Sequence, residues 1–493
     1  MATFADDKDV STGDGSDDVH SVPAEAYKNR TPEEVKLDRR IVFKTDVIVL
    51  SMLVVVATLE FLDKNALAYA AVWGLKTDTN LEGQDYSWVA SVFYFGYLGA
   101  LPVCLYLTTI MRSPAKLIGI STTLWGIVLL CMAACHNYGG LITVRFFLGV
   151  CEAAILPSYM HLNAQWWRRE EQALRTALWY NTLAGIFGGI LSYAIGHING
   201  KLAVWKYLFL IYGSITVVVG GVVTLALPTS PETAWFFTPA ERQRVSVRLA
   251  DNQQSKESKR FRPKQIVEAL RSPQYWLLVV FAIAQAITNA GITNFNPLII
   301  NGFGFSQSRT TLMATPQAAV ALVAQIAFSA LAYFKPNIRS LLWVLSCLPA
   351  LVGAVMIHVL DHVKQRGAAL AGVYLMGWYN VSWVLALSLA TSNTAGTTKK
   401  AFQSTSIAVA YAVGNIVGPQ GFRASEAPTY TSGIAMMLAC FAIMAVTGVL
   451  YGFTCHTLNK RRDAQYGPVT QLGAHNPTED ITDGENTQFR YSL

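Results

Sequence analysis

Charge is what this chain has least of. Only 14% of its 493 residues are Asp, Glu, Lys or Arg, while 52% are hydrophobic. Ordinary soluble domains carry about 25% charge, so the deficit excludes a typical soluble globular protein and points to a lipid-embedded one. Paired cysteines are also absent. Cys104, Cys131, Cys135, Cys151, Cys347, Cys440 and Cys455 are scattered, mostly through apolar runs, and none forms a CxxC pair; neither a disulfide framework nor a metal site is indicated. No GxxxxGK[ST] loop occurs, which argues against an ATP-driven pump. No catalytic cluster stands at a membrane face, so no enzyme and no cofactor are expected. No apolar stretch follows the initiator Met, so no cleaved signal peptide is expected. The formal charge of +7 sits in the loops and implies no nucleic-acid partner.

Long apolar runs are what the chain has instead. Stretches of the roughly 20 residues needed to cross a bilayer fall at 46–68, 87–109, 117–136, 141–161, 176–197 and 205–227. After a polar interval, six more fall at 275–295, 312–333, 340–360, 367–391, 403–421 and 431–455. The expected fold is an all-α membrane protein of 12 transmembrane helices in two six-helix bundles. The domain plan that follows is a disordered tail over 1–42, an N-terminal bundle over 43–227, a linker over 228–274, a C-terminal bundle over 275–455 and a second tail over 456–493. Lys and Arg concentrate in alternate loops: Arg112 with Lys116, Arg168 with Arg169 and Arg175, Lys335 with Arg339, Lys399 with Lys400, and the basic linker. That bias predicts that both termini are cytoplasmic. Two six-helix halves on a linker form the usual plan of a secondary transporter, with a substrate site between them near the midplane.

Ionisable residues inside the spans are the candidate working parts, because such groups normally face the bundle interior and a partner. The first span carries Glu60, Asp63 and Lys64 in "LEFLDKN", within one helical stripe of about 100°. The fourth, "LITVRFFLGVCEAAILPSYM", carries Arg145 and Glu152 on one face, about 10 Å apart along the axis. Lys64 and Arg145 fall in the same half of the membrane, suited to gripping an anion. Glu152, deeper, is the candidate to carry a proton in each cycle, with Asp63 grouped beside it. Glu60 and Asp63 serve equally well to tune Lys64, and the whole set serves equally well as an internal ion-pair lock. The second half offers amides and aromatics: Gln285, Asn289, Asn294 and Asn296 in "FAIAQAITNAGITNFNPLI", then Trp378, Tyr379 and Asn380, and Asn415. These are candidates for binding and shape selection, or for helix-to-helix hydrogen bonds. Gly414 and Gly418 have the GxxxG spacing of close helix packing.

Several ordered stretches carry a family resemblance: "FLDKNALAYAAVWGLKTDTNLEGQDYSWVASVFYFGYLGALP", "WWRREEQALRTALWY", "LPTSPETAWFFTPAER", "GITNFNPLIINGFGFS" and "SNTAGTTKKAFQSTSIAVAYAVGNIVGPQGFRASEAPTY". From about residue 43 to 462 the chain resembles the major facilitator superfamily, and within it the fungal allantoate permease group of the anion:cation symporter family. The resemblance implies proton-coupled symport of a small organic anion by alternating access, with substrates such as allantoate, ureidosuccinate or nicotinate-like compounds. In related organic-anion carriers a basic residue before an Asn matches Lys64 and Asn65, and an Arg and Glu seven apart match Arg145 and Glu152. There are departures. "YLTTIMRSPAK" keeps Arg112 and Lys116 but no acidic residue, and Ala100 stands where relatives often have an acid before Pro102. Gating is therefore expected from Arg168, Glu170, Glu171 and Arg175. The fifth span lacks the Gly-Pro pair of drug antiporters.

The expected function is uptake of a small organic anion together with a proton, across the plasma membrane, by a monomer. The alternative is an exporter or intracellular carrier of a pathway metabolite.

Overall fold

The computed structural model describes residues 31–111, 113–168, 171–172, 175, 183–254, 261–467 and 480–493. Arg112 and Glu170, the first 30 residues and the beginning of the fifth apolar stretch lie outside them.

Local chemistry starts most helices where the sequence changes character. α1 (Pro32–Thr45) opens with Pro at its first position and a capping box in which Thr31 and Glu34 satisfy each other's backbone N–H. It runs through a π-turn, Asp46–Leu50, into α2 (Ser51–Val72), so the first span is one continuous helix. A short α3 (Leu75–Asp78) follows, then α4 (Asp85–Ile110). Ser113 caps α5 (Pro114–Met132) and Asn137 caps α6 (Tyr138–Glu152), each accepting a hydrogen bond from the backbone N–H three residues on. α7 (Ile155–Trp166), α8 (Leu183–Ile195) and α9 (Val204–Ala226) complete the first half.

The linker folds into α10 (Pro239–Gln254) and α11 (Pro263–Arg271). The second half contains α12 (Pro273–Gly302), α13 (Gln307–Phe334), α14 (Arg339–Val359), α15 (Arg366–Met376), α16 (Tyr379–Ser392), α17 (Thr397–Val417) and α18 (Thr431–Tyr466).

Among the described residues, ten helical stretches are long and apolar enough to cross a membrane. α8 and α17 occupy the fifth and eleventh positions of the expected twelve. α17 misses the apolarity because Thr398, Lys399, Lys400, Gln403, Ser404 and Thr405 crowd its first turns. Within each half the helices pack tightly, α5 on α9 and α4 on α6 in the first, α12 on α17 and α14 on α18 in the second. Gly414 and Gly418 stand where a Cβ would meet Ala286 and Ala290 of α12 at 2.5 and 2.7 Å, so their spacing does serve close packing. The halves meet along α2–α12, α8–α13 and α4–α17.

Two expectations about the tails are corrected. The segment read as disordered to residue 42 is helical from Pro32. Its polar face meets the linker, where Arg244 binds Asp38 and Glu34 and, just beyond, Lys44 binds Glu241. At the other end α18 continues to Tyr466, and residues 480–493 fold back onto the second half. Composition hides both, because charged segments docked on a charged partner look like solvated ones.

Candidate functional site

Spans four and ten, the same position in each half, run as single helical stretches, Tyr138–Trp166 and Arg366–Ser392. Each has a local break in its regular hydrogen-bond ladder, at Ala153–Ala154 directly after Glu152 and at Gly377–Trp378 directly before Tyr379 and Asn380, while the backbone stays right-handed helical. Irregularities at matching positions in two halves are candidate ligand regions of a secondary transporter.

At the first break, Lys64 Nζ lies 2.7 Å from Glu152 Oε1 and 2.7 Å from Glu60 Oε1. Glu152 is buried, whereas the Lys64 side chain keeps 24% of its exposure. Among the described residues neither Glu152 oxygen accepts a well-aligned hydrogen bond, and its one ion-pair contact is with the Lys64 ammonium. Asp63 points elsewhere. Its Oδ2 accepts from Trp125 Nε1 at 2.8 Å on α5, and the charge it answers is Arg145. The Asp63 Oδ1 and Arg145 Nε atoms are buried without a hydrogen-bond partner. The expected single stripe therefore divides. At 100° per residue Asp63 and Lys64 diverge by 100°, enough to give them different partners. Arg145 lies within electrostatic reach of both Asp63 and Glu152, and none of Glu60, Asp63, Lys64, Arg145 and Glu152 is among the residues that line the cavity.

The cavity itself is a cleft between the halves, about 990 Å³ with its open mouth included. Phe61, Asn65 and Tyr69 of α2 form one wall; the others come from α8, α12, α13, α16 and α17. Asn289 is its hub: Tyr379 Oη donates to Asn289 Oδ1 at 2.8 Å, while Asn289 Nδ2 donates to Tyr411 Oη at 3.0 Å and Asn415 Oδ1 at 3.1 Å. Nearby, Asn296 Nδ2 donates to Gln317 Oε1 at 2.5 Å. Tyr411 meets Tyr94 of the first half edge-on, ring centroids 6.4 Å apart. Of the amides and aromatics singled out from sequence, Gln285, Asn289, Asn296, Tyr379 and Asn380 line the cleft. Asn294 lies outside the lining, its Nδ2 turned back to Ala290 O. Trp378 also lies outside, packed edge-on against Phe328. Gln317 and Gln325 line the cleft without having been singled out; an amide inside an apolar run was the available signal.

A profile of the Major Facilitator Superfamily matches residues 53–419. The chain belongs to that superfamily.

This major facilitator chain is 37% identical over 463 residues to an uncharacterized transporter of Schizosaccharomyces pombe, spanning 92% of this chain and 87% of that one. It is 34% identical over 487 residues to the allantoate permease of Saccharomyces cerevisiae, spanning 94% and 87%. A bacterial homolog of the human lysosomal transporter Spinster superposes with a TM-score of 0.61 at 14% identity, covering 88% of this chain and 99% of that one. The protein is thus a multi-pass membrane transporter related to the allantoate permease group, and not an enzyme.

The cleft of this transporter is sealed on the face opposite the termini. There Tyr86 Oη donates to Asn294 O at 2.8 Å, and Ser91 Oγ donates to Ile416 O at 2.8 Å. Lys76 Nζ sits 4.2 Å from the Tyr86 ring centroid and 3.5 Å from Tyr430 Oη, and burial pushes its ammonium down to about 8. On the face carrying the termini, the residues expected to gate lie within the first half. Arg175 holds Asp46 with Nη2 at 2.7 Å and Nε at 3.1 Å, a bidentate pair that Trp167 Nε1 joins at 2.8 Å. Glu171 pairs with Arg248 of α10 and accepts from the Arg168 backbone N–H at 3.2 Å. These contacts fasten the first span and the linker to the loop after α7.

Proposed function

We propose that the protein is a proton-coupled symporter of a small organic anion, probing substrate shape with the second half and coupling protons in the first. The observation that carries the reading is the contact of Lys64, next in sequence to the cleft-lining Asn65, with Glu152 at 2.7 Å. An anion entering the cleft competes with Glu152 for that ammonium. A buried carboxylate stripped of its partner is costly by several kcal/mol, so a proton on Glu152 accompanies the anion. On release, Lys64 returns to Glu152 and the proton leaves. Binding is thereby linked to protonation through one shared cation. Asp63 and Arg145 form a second acid–base couple that follows the first, and Glu60 holds Lys64 in place between turns.

The amide-rich cleft around Asn289 and Asn380 suits a carboxylate that also carries hydrogen-bond donors and acceptors. Similarity to an allantoate permease favours ureido- or nicotinate-like acids, taken up across the plasma membrane with both termini cytoplasmic. In that orientation the sealed face is external and the structure is open inward. Arg168, Glu171 and Arg175 gate by holding the first span to the linker. The decisive experiment is uptake of a panel of labelled carboxylates by transport-deficient yeast at acidic and neutral external pH. Glu152→Gln is expected to abolish the stimulation by acid while preserving counterflow exchange; unchanged acid-stimulated accumulation in that variant would overturn the coupling role.

A further inference from the structure

Residues 480–493 bind the termini-side face of the second half with contacts suited to recognising a peptide. Asn393 Nδ2 donates to Ser492 O at 2.9 Å and Asn393 Oδ1 accepts from Ser492 N at 2.7 Å. Asn459 reads Tyr491 in the same way, at 2.8 Å in both directions. Two-point pairing of a side-chain amide with backbone imitates the main-chain hydrogen bonds by which extended peptides are captured. Charge sets the register. Asp483, buried, accepts from Lys399 Nζ at 2.7 Å and from Ala395 N at 3.1 Å, and Asp480 accepts from Thr397 N at 2.7 Å. The docking ground is kept bare at Gly396, whose φ is +91° and where a Cβ would meet Gln265 Oε1 at 2.9 Å and Thr482 Cγ2 at 3.0 Å.

The ground on which the segment docks is also the end of the linker. Lys399 bonds Glu268 of α11 at 2.8 Å, and Gln265 of α11 accepts from the backbone N–H of Thr398 and Lys399 at 3.0 and 3.1 Å. Gln265 Nε2 in turn donates to Asp480 Oδ2 at 3.3 Å. The segment, α11 and the first turn of α17 therefore form one block. The linker's other helix, α10, is held to the first half by Lys44–Glu241, Arg244–Asp38 and Arg248–Glu171. Both ends of the tether that joins the moving halves are thus anchored, and the C-terminal segment is part of one anchor. The attachment is predominantly polar, with Tyr491 its one buried large apolar side chain. Buried charge pairs can fix register even where they add little stability, so these contacts suit selective docking of the segment.

We propose that residues 480–493 are an intramolecular ligand of the second half, docking across α11 and the α16–α17 turn to anchor the linker there. The test is hydrogen–deuterium exchange on the purified full-length chain, on a chain lacking 480–493, and on Asp483→Asn. Deletion is expected to raise exchange over residues 263–271 and 393–400 by about tenfold or more, with a smaller rise in Asp483→Asn. α10 and the sealed face stay unchanged, and a synthetic peptide of residues 480–493 added to the shortened chain restores protection at the same two segments. Unchanged exchange on deletion would overturn the proposal. So would a rise spread over α10 and the sealed face, which signals loss of fold. Failure of the peptide to restore protection would overturn it too, making the segment a fixed part of the fold rather than a ligand.

Discussion

The two halves face one cleft with different chemistry. The first half lines the cleft with Phe61, Asn65, Tyr69 and Gly185 and keeps its ions outside that lining, where Lys64 pairs with Glu152 and Glu60; among the described residues, Asp63 and Arg145 each keep a buried polar atom without a hydrogen bond. The second half contributes neutral amides and phenols, with both ends of the Asn289 side chain engaged, although Gln285 Oε1 and Asn296 Oδ1 are buried without a hydrogen-bond partner among the described residues. A buried charge responds when its partner is taken away, whereas neutral amides keep their protonation state. On the proposed reading, the charged half changes protonation and the neutral half presents the template. Tyr94 and Tyr411, meeting edge-on, join the two.

The largest effect is expected where the contrast is sharpest. Lys64→Met leaves Glu152 and Glu60 without their cation and should destabilise the first half by about 3–5 kcal/mol. Thermal unfolding should show the loss, and uptake should vanish. Adding Glu152→Gln to the same chain should recover most of the stability but no uptake. If Lys64→Met unfolds at the wild-type temperature, the ion cluster does not depend on that contact and the contrast fails.

An intermediate effect is expected from Asn289→Ala. It leaves the hydroxyl of Tyr379 and the amide of Asn415 short of a partner, worth about 1–3 kcal/mol. Because the net shapes the cleft, KM should rise about tenfold or more while the response of transport to acid keeps its wild-type form. A changed pH profile would show that coupling extends into the second half.

The smallest effect concerns Lys76 on the sealed face. Its ammonium lies near 8 in the closed arrangement, against about 10.4 for an exposed lysine. The closed face therefore binds fewer protons than the open one, so raising pH from about 7 to about 9 should favour closure. Lys76→Met should remove that dependence. Spin-label distances between α3 and the loop before α18 report it; an unaltered pH response in Lys76→Met would assign the effect to another group.

Much of this was legible in one dimension. Apolar run length is a property of the chain itself, so the two sets of six spans, and the charges that interrupt the first and fourth, are visible in sequence. Contacts between distant segments are not. Asp63 and Lys64 are neighbours, yet one serves Trp125 and Arg145 while the other serves Glu152, because helix rotation sends adjacent side chains to different partners. Trp378 and Asn380 are two residues apart, so helix rotation turns one toward Phe328 and the other into the cleft. Asn294, on the same helix as Asn289, turns its amide back to Ala290.

The sequence by itself determined a membrane-embedded helical chain in two halves, because transfer of apolar surface out of water depends on composition and run length alone. It also determined which ionisable groups must find partners, since burial of a charge demands one wherever it occurs. Tertiary structure decided which partner each found, which amides reach the cleft, and that residues 32–45 and 480–493 are docked on the rest of the chain. Those outcomes depend on distances of a few ångströms between residues far apart in the chain, and no local pattern encodes them.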